Sequence, residues 1–296
     1  MKSSRPVAVA LGMFDGVHRG HRKVIEAALN YRGNYQTAVL TFTTKKARPK
    51  QKASQKDILT AEGRLALLER LGVDVTYIPD FEEFRQMEPE NFVREILCRR
   101  LRAKVICCGE DFRFGRNAEG DVALLQKLGA ELGVKIEVVS PVLEDGYPVS
   151  STRIRQCLLE GDIPKANLLL GYRYFIEGVV VYGKQLGRTM ECPTINQELS
   201  PNICIPKFGV YVSTTHIDGK EYPSITNVGK KPTIQGDRMP LAETHIIGID
   251  RHLYGQTLRV TLYRFIRGEM RFESLEELSR SIHRDIHTAT LYFKDK

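Results

Sequence analysis

Short apolar runs separated by amphipathic stretches fill the first half of the chain. Val7–Leu11 (VAVAL) reads as a strand buried on both faces, and Val39–Phe42, Val75–Ile78, Val105–Cys108 and Ile136–Val139 repeat the theme. Between them, helical spacing predicts helices over His21–Asn30, Ala61–Arg70, Pro89–Arg102 and Val122–Leu132, with Thr60 capping the second and Gly72 just past its end. Alternating strand and helix imply βαβ units around a parallel sheet covered on both faces, an α/β domain.

From Tyr174 onward the pattern changes. FIEGVVVYG, GVYVSTTHIDGKEY, ETHIIGI and TLRVTLYRFI are strand-like, with no helices between them, and Asp218-Gly219 between two such runs is a hairpin signal. Closely spaced strands of this kind predict a small antiparallel β-barrel. One helix closes the chain: Ser274 caps it, Glu277 completes S-x-x-E, and Leu275, Leu278, Ile282 and Ile286 form its apolar face. The helical segment Ile154–Leu170 places the boundary near Leu170–Arg173, giving domains of 1–170 and 171–296. Lys45–Lys56 is basic, lacks large apolar residues and reads as a loop.

Composition narrows the function classes. The 296 residues fit about two domains at roughly 150 residues each. No run reaches the roughly 18 apolar residues of a membrane span, and the N-terminal apolar run is too short for a signal peptide. Lys and Arg number 44 against 36 Asp and Glu, so the net charge is +8, which suits anionic partners such as nucleotides as well as plain solubility. The cysteines, Cys98, Cys107, Cys108, Cys157, Cys192 and Cys204, form no C-x-x-C pair and read as buried thiols in a reducing, cytoplasmic setting.

The first candidate site follows the first strand: Gly12-Met13-Phe14-Asp15-Gly16-Val17-His18-Arg19-Gly20-His21, then a helix. Glycines admit backbone N–H groups to an anion, and a helix N-terminus adds favourable partial charge. With Gly20 keeping space between them, both imidazoles can donate to one phosphate chain and stabilise charge as the α-phosphate of a nucleoside triphosphate is attacked. The stretch is neither a Walker loop nor G-x-G-x-x-G. The same histidines could also do no more than cap the helix.

The second candidate site is spread over the C-terminal half. Gly183-Lys184-Gln185-Leu186-Gly187-Arg188 would let a loop close over phosphates. Thr194 and Asn196, two apart, face one side of an extended segment and can serve Mg²⁺. Glu243, at the start of a predicted strand, can accept a proton from an alcohol. Singly these are weak signals, since P-T-x-N is usually a turn and a strand glutamate usually solvated.

Together these motifs resemble the HxGH nucleotidylyltransferases, and within them the prokaryotic bifunctional riboflavin kinase/FAD synthetase family, over nearly the whole chain. GMFDGVHRGH is similar to the family's opening motif. Gly109-Glu110-Asp111-Phe112-Arg113-Phe114-Gly115 with Gly120-Asp121 is similar to its central flavin- and nucleotide-side loop, and Ser150-Ser151-Thr152-Arg153-Ile154-Arg155 to its closing phosphate motif. Hydroxyls at a helix start with two guanidinium forks suit that last role. Gly187–Asn196 is similar to the kinase pattern G-R-x-x-G-x-P-T-A-N, with Asn227-Val228-Gly229-Lys230-Lys231-Pro232-Thr233 and Glu243-Thr244-His245 following.

The resemblance implies a Rossmann-like domain followed by a riboflavin kinase barrel with a terminal helix. It implies ATP as co-substrate, Mg²⁺, and riboflavin, FMN and FAD as substrates or products. It assigns catalysis to His18, His21 and Glu243. ATP and its phosphates fall to Gly12, Phe14, Asp15, Gly16, Gly20, Ser150, Ser151, Thr152, Arg153, Arg155, Gly183, Lys184, Gly187 and Arg188. The flavin falls to Asp111, Phe112, Phe114, Asn227 and Thr233, and the metal to Thr194 and Asn196. Three departures stand out: Thr43-Thr44-Lys45-Lys46 where the family has an Asp-Pro-His-Pro-like stretch, Glu191 for glycine, and Ile195 for alanine, whose bulk could crowd the nucleotide. They leave open a chain with one active module, or a non-catalytic flavin- or RNA-binding regulator. No aromatic RNP-type signature or Arg-rich tract supports nucleic-acid readout. No membrane partner is expected, and a weak homo-oligomer is allowed.

Overall fold

The computed structural model describes residues 5–42, 56–183, 192–232 and 238–294. Within them the chain divides into two compact units, Met1–Ser151 and Thr152–Lys296. Most of the Lys45–Lys56 segment, together with Thr43, Thr44, Lys184, Gly187, Arg188, Glu191 and Thr233, lies outside the described residues.

The first unit is a five-stranded parallel sheet in the order β3-β2-β1-β4-β5. Its strands are β1 (Val7–Leu11), β2 (Gln36–Leu40), β3 (Val75–Tyr77), β4 (Ala103–Gly109) and β5 (Lys135–Val139). Every residue of β1 is buried, as a central strand covered on both faces requires. The helices are α1 (Arg19–Leu29), α2 (Ala61–Arg70), α3, which starts at Pro89–Asn91 and continues with π-helical spacing over Phe92–Arg100, and α4 (Val122–Leu132). Phe92, Ile96, Leu97, Leu125 and Leu128 share one core with Val7, Val9, Leu11, Ile106 and Cys108. A small hairpin, β6 (Leu143–Glu144) and β7 (Tyr147–Pro148), follows.

Two local expectations shift. β2 begins at Gln36 and ends at Leu40, earlier than the apolar run suggests. Thr37 is tolerated in a buried strand because its hydroxyl and N–H both donate to Asp74, at 2.6 and 2.8 Å. The third helix stops at Arg100, because Arg102 takes a left-handed φ of 57° and its carbonyl accepts from Val7 N–H.

The second unit holds α5 (Ser151–Glu160) from its second residue on, α6 (Ile163–Leu170), a closed six-stranded antiparallel barrel and α7 (Leu275–Lys294). Barrel order is β10-β11-β12-β9-β8-β13, from β8 (Phe175–Val181), β9 (Thr194–Glu198), β10 (Gly209–Ile217), β11 (Lys220–Pro232), β12 (Arg238–Ile246) and β13 (Thr257–Arg267). Asp218 and Gly219 turn the β10–β11 hairpin with φ of 48° and 80°, the left-handed pair a two-residue hairpin turn needs. The expected boundary near Leu170–Arg173 differs from the compact division because α6 packs with the barrel: Ile163, Ala166, Leu169 and Leu170 are buried, and Asn167 bonds the Leu262 carbonyl and the Tyr174 N–H.

Side chains alternate between the two faces of the barrel wall. Ser213, Thr226 and Thr244 are buried and joined by hydroxyl bonds of 2.8 and 2.9 Å. Val210, Val212 and Ile225 pack under α7 against Ile282, Ile286 and Ala289. Leu275 corrects the predicted apolar face: it is 60% exposed in the first turn, where the helix has yet to meet the barrel, and contact comes with Ser281, Ile282, Asp285, Ile286 and Ala289. Asp285 is buried and takes a forked ion pair from Arg267, with Nη2 at 2.7 Å, locking the end of β13 to α7. Asp285→Ala strands that guanidinium, so the unfolding free energy should fall by about 3 kcal/mol, read as a lower urea midpoint with an unchanged slope.

Candidate active sites

The first site lies at the C-terminal ends of β1 and β4, where the sheet order reverses, the position at which open α/β sheets bind ligands. The chain leaves β1 through a turn in which Phe14, Gly16 and Val17 have φ of 49°, 81° and 40°. For a β-branched residue such as Val17 this is a strained conformation, costing about 1–3 kcal/mol, so the surroundings must enforce it. Met13 O accepts from Thr41 Oγ1 and Arg64 Nη1, both at 2.9 Å. Asp15 is buried, its Oδ1 accepting from Ile58 N–H at 2.8 Å and its carbonyl from Ser151 Oγ at 2.9 Å. The Ser151 hydroxyl thus holds the turn's backbone, and the Asp15 carboxylate anchors the turn to the Ile58 backbone.

His18 is the N-cap of α1, its Nδ1 accepting from His21 N–H at 3.3 Å. A ring nitrogen that accepts carries no proton, which puts the hydrogen of the neutral ring on Nε2. The two imidazoles stack, centroids 3.5 Å apart and planes 17° apart, with Phe14 edge-on to His21. The Phe14 ring also lies over Gly12. Capping and phosphate chemistry are therefore compatible: one nitrogen of His18 caps, and the other is oriented by doing so. Gly20 fits this stack closely, since a Cβ there would sit 3.2 Å from His18 Cε1.

The central loop leaves β4 next door. Asp111 is exposed, whereas Phe114 is buried and packs on Phe92 and Phe112, with centroids at 5.8 and 5.7 Å. Phe114 thus belongs to the core, and Asp111 and the half-buried Phe112 form the open part of the loop. Thr152, Arg153 and Arg155 lie on the first turns of α5, in the second unit.

The barrel site is set by register. Asn196 of β9 lies opposite Glu243 of β12, and Glu243 lies opposite Asn227 of β11. Directly opposed residues on antiparallel strands have Cα atoms roughly 4.5–5.5 Å apart, so these three form one cross-strand row. The next same-face row pairs Thr194 with His245, whose Nδ1–H donates to the Pro193 carbonyl at 2.9 Å. Glu243 is exposed and sits well inside β12, which begins at Arg238; Pro240, a residue that argues against a strand in sequence, hid its start. P-T-x-N proves to be a strand, which puts Thr194 and Asn196 on one face. Ile195 takes the other face and packs with Val180, Ile217, Ile246, Leu253 and Leu258. It therefore lies on the face opposite Thr194 and Asn196.

Asn196 is 4% exposed, and its Oδ1 has no hydrogen-bond partner among the described residues. Gly183 presses on the same amide, so a Cβ there would overlap it. A buried, unsatisfied amide oxygen is a hard donor of the kind Mg²⁺ takes. Among the described residues, no group of three or more His, Cys, Asp or Glu could hold a metal.

Residues not anticipated from the sequence also border these sites. Arg64 and Thr41 hold the Met13 carbonyl, and Tyr182, next to Gly183, stacks on Tyr254 with centroids 4.0 Å apart. Arg64 left a signal, since it is a charge at helical spacing from Leu67 and Leu68 on the buried face of α2. Tyr182 and Tyr254 are too far apart in sequence for the pattern to show their pairing.

The FAD synthetase family model matches residues 1–153 and the riboflavin kinase model residues 170–293. The bifunctional riboflavin kinase/FMN adenylyltransferase of Escherichia coli strain K12 is 36% identical over 96% of this chain and 92% of its own length. Its Bacillus subtilis counterpart is 32% identical over 97% and 92%. A crystal structure from Streptococcus pneumoniae, described as a macrolide-efflux protein, superposes with a TM-score of 0.87 at 29% identity, covering 98% of this chain and 95% of that one. Among the described residues here, no helix is long and apolar enough to cross a membrane. With both family models matched in order and relatives aligned over nearly full length, the chain belongs to the bifunctional riboflavin kinase/FMN adenylyltransferase family.

Proposed function

We propose that the chain phosphorylates riboflavin to FMN in its barrel unit and adenylylates FMN to FAD in its parallel-sheet unit, through the residues named above. What carries the reading is that each compact unit presents its own set of groups suited to one of the two phosphate chemistries.

In the barrel, the Glu243 carboxylate takes the proton of the ribityl 5′-hydroxyl as that oxygen attacks the γ-phosphorus of ATP. The bond to the bridging oxygen breaks, and ADP leaves. Asn227 stands beside the base in the same row and orients the hydroxyl-bearing substrate. Thr194 and Asn196 would hold magnesium, which lowers the charge on the triphosphate when bound.

In the parallel-sheet unit, an oxygen of the FMN phosphate attacks the α-phosphorus of ATP, and pyrophosphate leaves. His18 Nε2–H and the His21 ring donate to the charge that grows on the phosphate oxygens. Backbone N–H groups of the Gly12–Val17 turn and the start of α1 favour the polyphosphate. Asp111 and Phe112 lie on the flavin side, with Ser150 and Ser151, the last residues of the same unit, on the phosphate side. The reading includes a reducing, cytoplasmic setting: all six cysteines are free thiols, and burial pushes Cys107 up to about 12 and Cys108 to about 11, leaving both unreactive at neutral pH.

The test is a product assay on the full chain with riboflavin, ATP and Mg²⁺. The expected result is FMN followed by FAD. FMN without FAD would remove the transferase half of the reading, and FAD made only from supplied FMN would remove the kinase half. Neither product would leave a binding protein.

A further inference from the structure

Arg64 is a guanidinium on the apolar face of α2, 4% exposed. Burying a charge is costly unless its bonds are good, so its partners are informative. Nη1 donates to the Met13 carbonyl at 2.9 Å and Nη2 to the Phe42 carbonyl at 3.2 Å. Met13 follows β1 and Phe42 follows β2, which are adjacent parallel strands. One planar fork therefore spans the C-terminal ends of both. Thr41 Oγ1 is a second donor to the same Met13 oxygen.

That oxygen belongs to the peptide unit leading into Phe14, the first left-handed residue of the strained turn. Relaxing the turn means rotating this peptide, which would break a charge-assisted bond and a hydroxyl bond together. The turn ends at Val17, and His18 follows as the cap of α1. The bonds from Arg64 go to backbone carbonyls, so its hold on the histidines runs through the backbone of the turn.

We propose that Arg64 is a positioning residue for adenylyl transfer: its fork, assisted by Thr41, holds the Met13–Val17 backbone in the strained form that aims His18 and His21 at the phosphates. The inference rests on the assignment of adenylyl transfer to the first unit. It names a group with no place in the sequence motifs, and it explains a buried cation beside an anion-binding turn.

The experiment uses the full chain as wild type, Arg64→Gln, Arg64→Lys and Thr41→Val. Turnover is measured for FAD from FMN and ATP and, in the same preparations, for FMN from riboflavin. Calorimetric titration with the α,β-methylene analogue of ATP counts intact nucleotide sites. Arg64→Gln should lower FAD turnover about 100-fold, the scale of an ångström-level misplacement, with the site count and kinase turnover as in wild type. Arg64→Lys, which keeps the charge but loses the fork, should fall in the same direction, and Thr41→Val by a smaller factor.

Arg64→Gln within about threefold of wild type would overturn the proposal. So would a turnover that falls only in step with the number of nucleotide sites, the mark of a purely structural role. Should Arg64→Gln fail to fold, Arg64→Lys and Thr41→Val decide: reduced turnover with the full site count supports the proposal, and wild-type turnover in both overturns it. A wild-type chain that makes no FAD from FMN would instead bring down the assignment beneath it, a result distinct from failure of the Arg64 variants.

Discussion

Replacing Glu243 with alanine should lower FMN formation from riboflavin by roughly 10²–10⁴-fold, the range for loss of a general base, and leave FAD formation from supplied FMN unchanged. The separation follows from the fold. Glu243 is exposed on one strand of a closed barrel, opposite Asn196 and Asn227, and its truncation opens no cavity. An exposed substitution of this kind changes stability by about 0.5 kcal/mol or less, so a large loss of rate would be chemical. Glu243→Gln sharpens the test. It keeps size and hydrogen bonding but cannot take the proton, so its loss should match that of alanine. A glutamine variant with wild-type FMN formation would show that Glu243 orients the hydroxyl without accepting its proton.

His21→Ala should act on the other reaction, cutting pyrophosphate release with FMN and ATP by roughly 10²–10³-fold, the scale for removing one donor to developing charge. FMN formation from riboflavin should stay at the wild-type rate. His21 is the better target of the pair. His18 uses Nδ1 to cap α1, so His18→Ala would also remove a cap, at about 1 kcal/mol of stability, and mix folding with chemistry. His21 gives the α1 cap its backbone N–H, which alanine keeps, although the stack on His18 and the edge contact from Phe14 are lost. His21→Gln, which still carries a side-chain donor, should recover part of the rate. Wild-type pyrophosphate release by His21→Ala would show that the stacked rings serve only the helix start.

Where a strong local pattern coincided with a local structural cause, the elements were legible. β1 is five consecutive buried apolar residues, α2 starts at the Thr60 cap, whose hydroxyl accepts from Gly63 N–H, and the Asp218-Gly219 hairpin turns where its two residues direct. Misreadings arose where residues distant in sequence decided a position. Thr37 belongs to β2 because Asp74 takes its hydroxyl, and the apolar-run rule cannot see Asp74. Leu275 fits the helical stripe in sequence but sits in the first turn, before α7 reaches the barrel. The side on which Ile195 lies was likewise set by the strand, whose alternation puts it opposite Thr194 and Asn196.

By itself, the sequence determined the alternation of an α/β half with an all-β half, the histidine turn after the first strand, and the chemical character of Thr194, Asn196 and Glu243. These are short-range properties, decided by periodicity, capping and side-chain type. Only the tertiary structure decided which of those groups stand together. The register of β9, β12 and β11 put Asn196, Glu243 and Asn227 in one row, and the parallel neighbours β1 and β2 let one buried arginine hold both strand ends. Such contacts join residues far apart in the chain. They are set by strand pairing and by the need to satisfy buried polar groups, neither of which a local pattern contains.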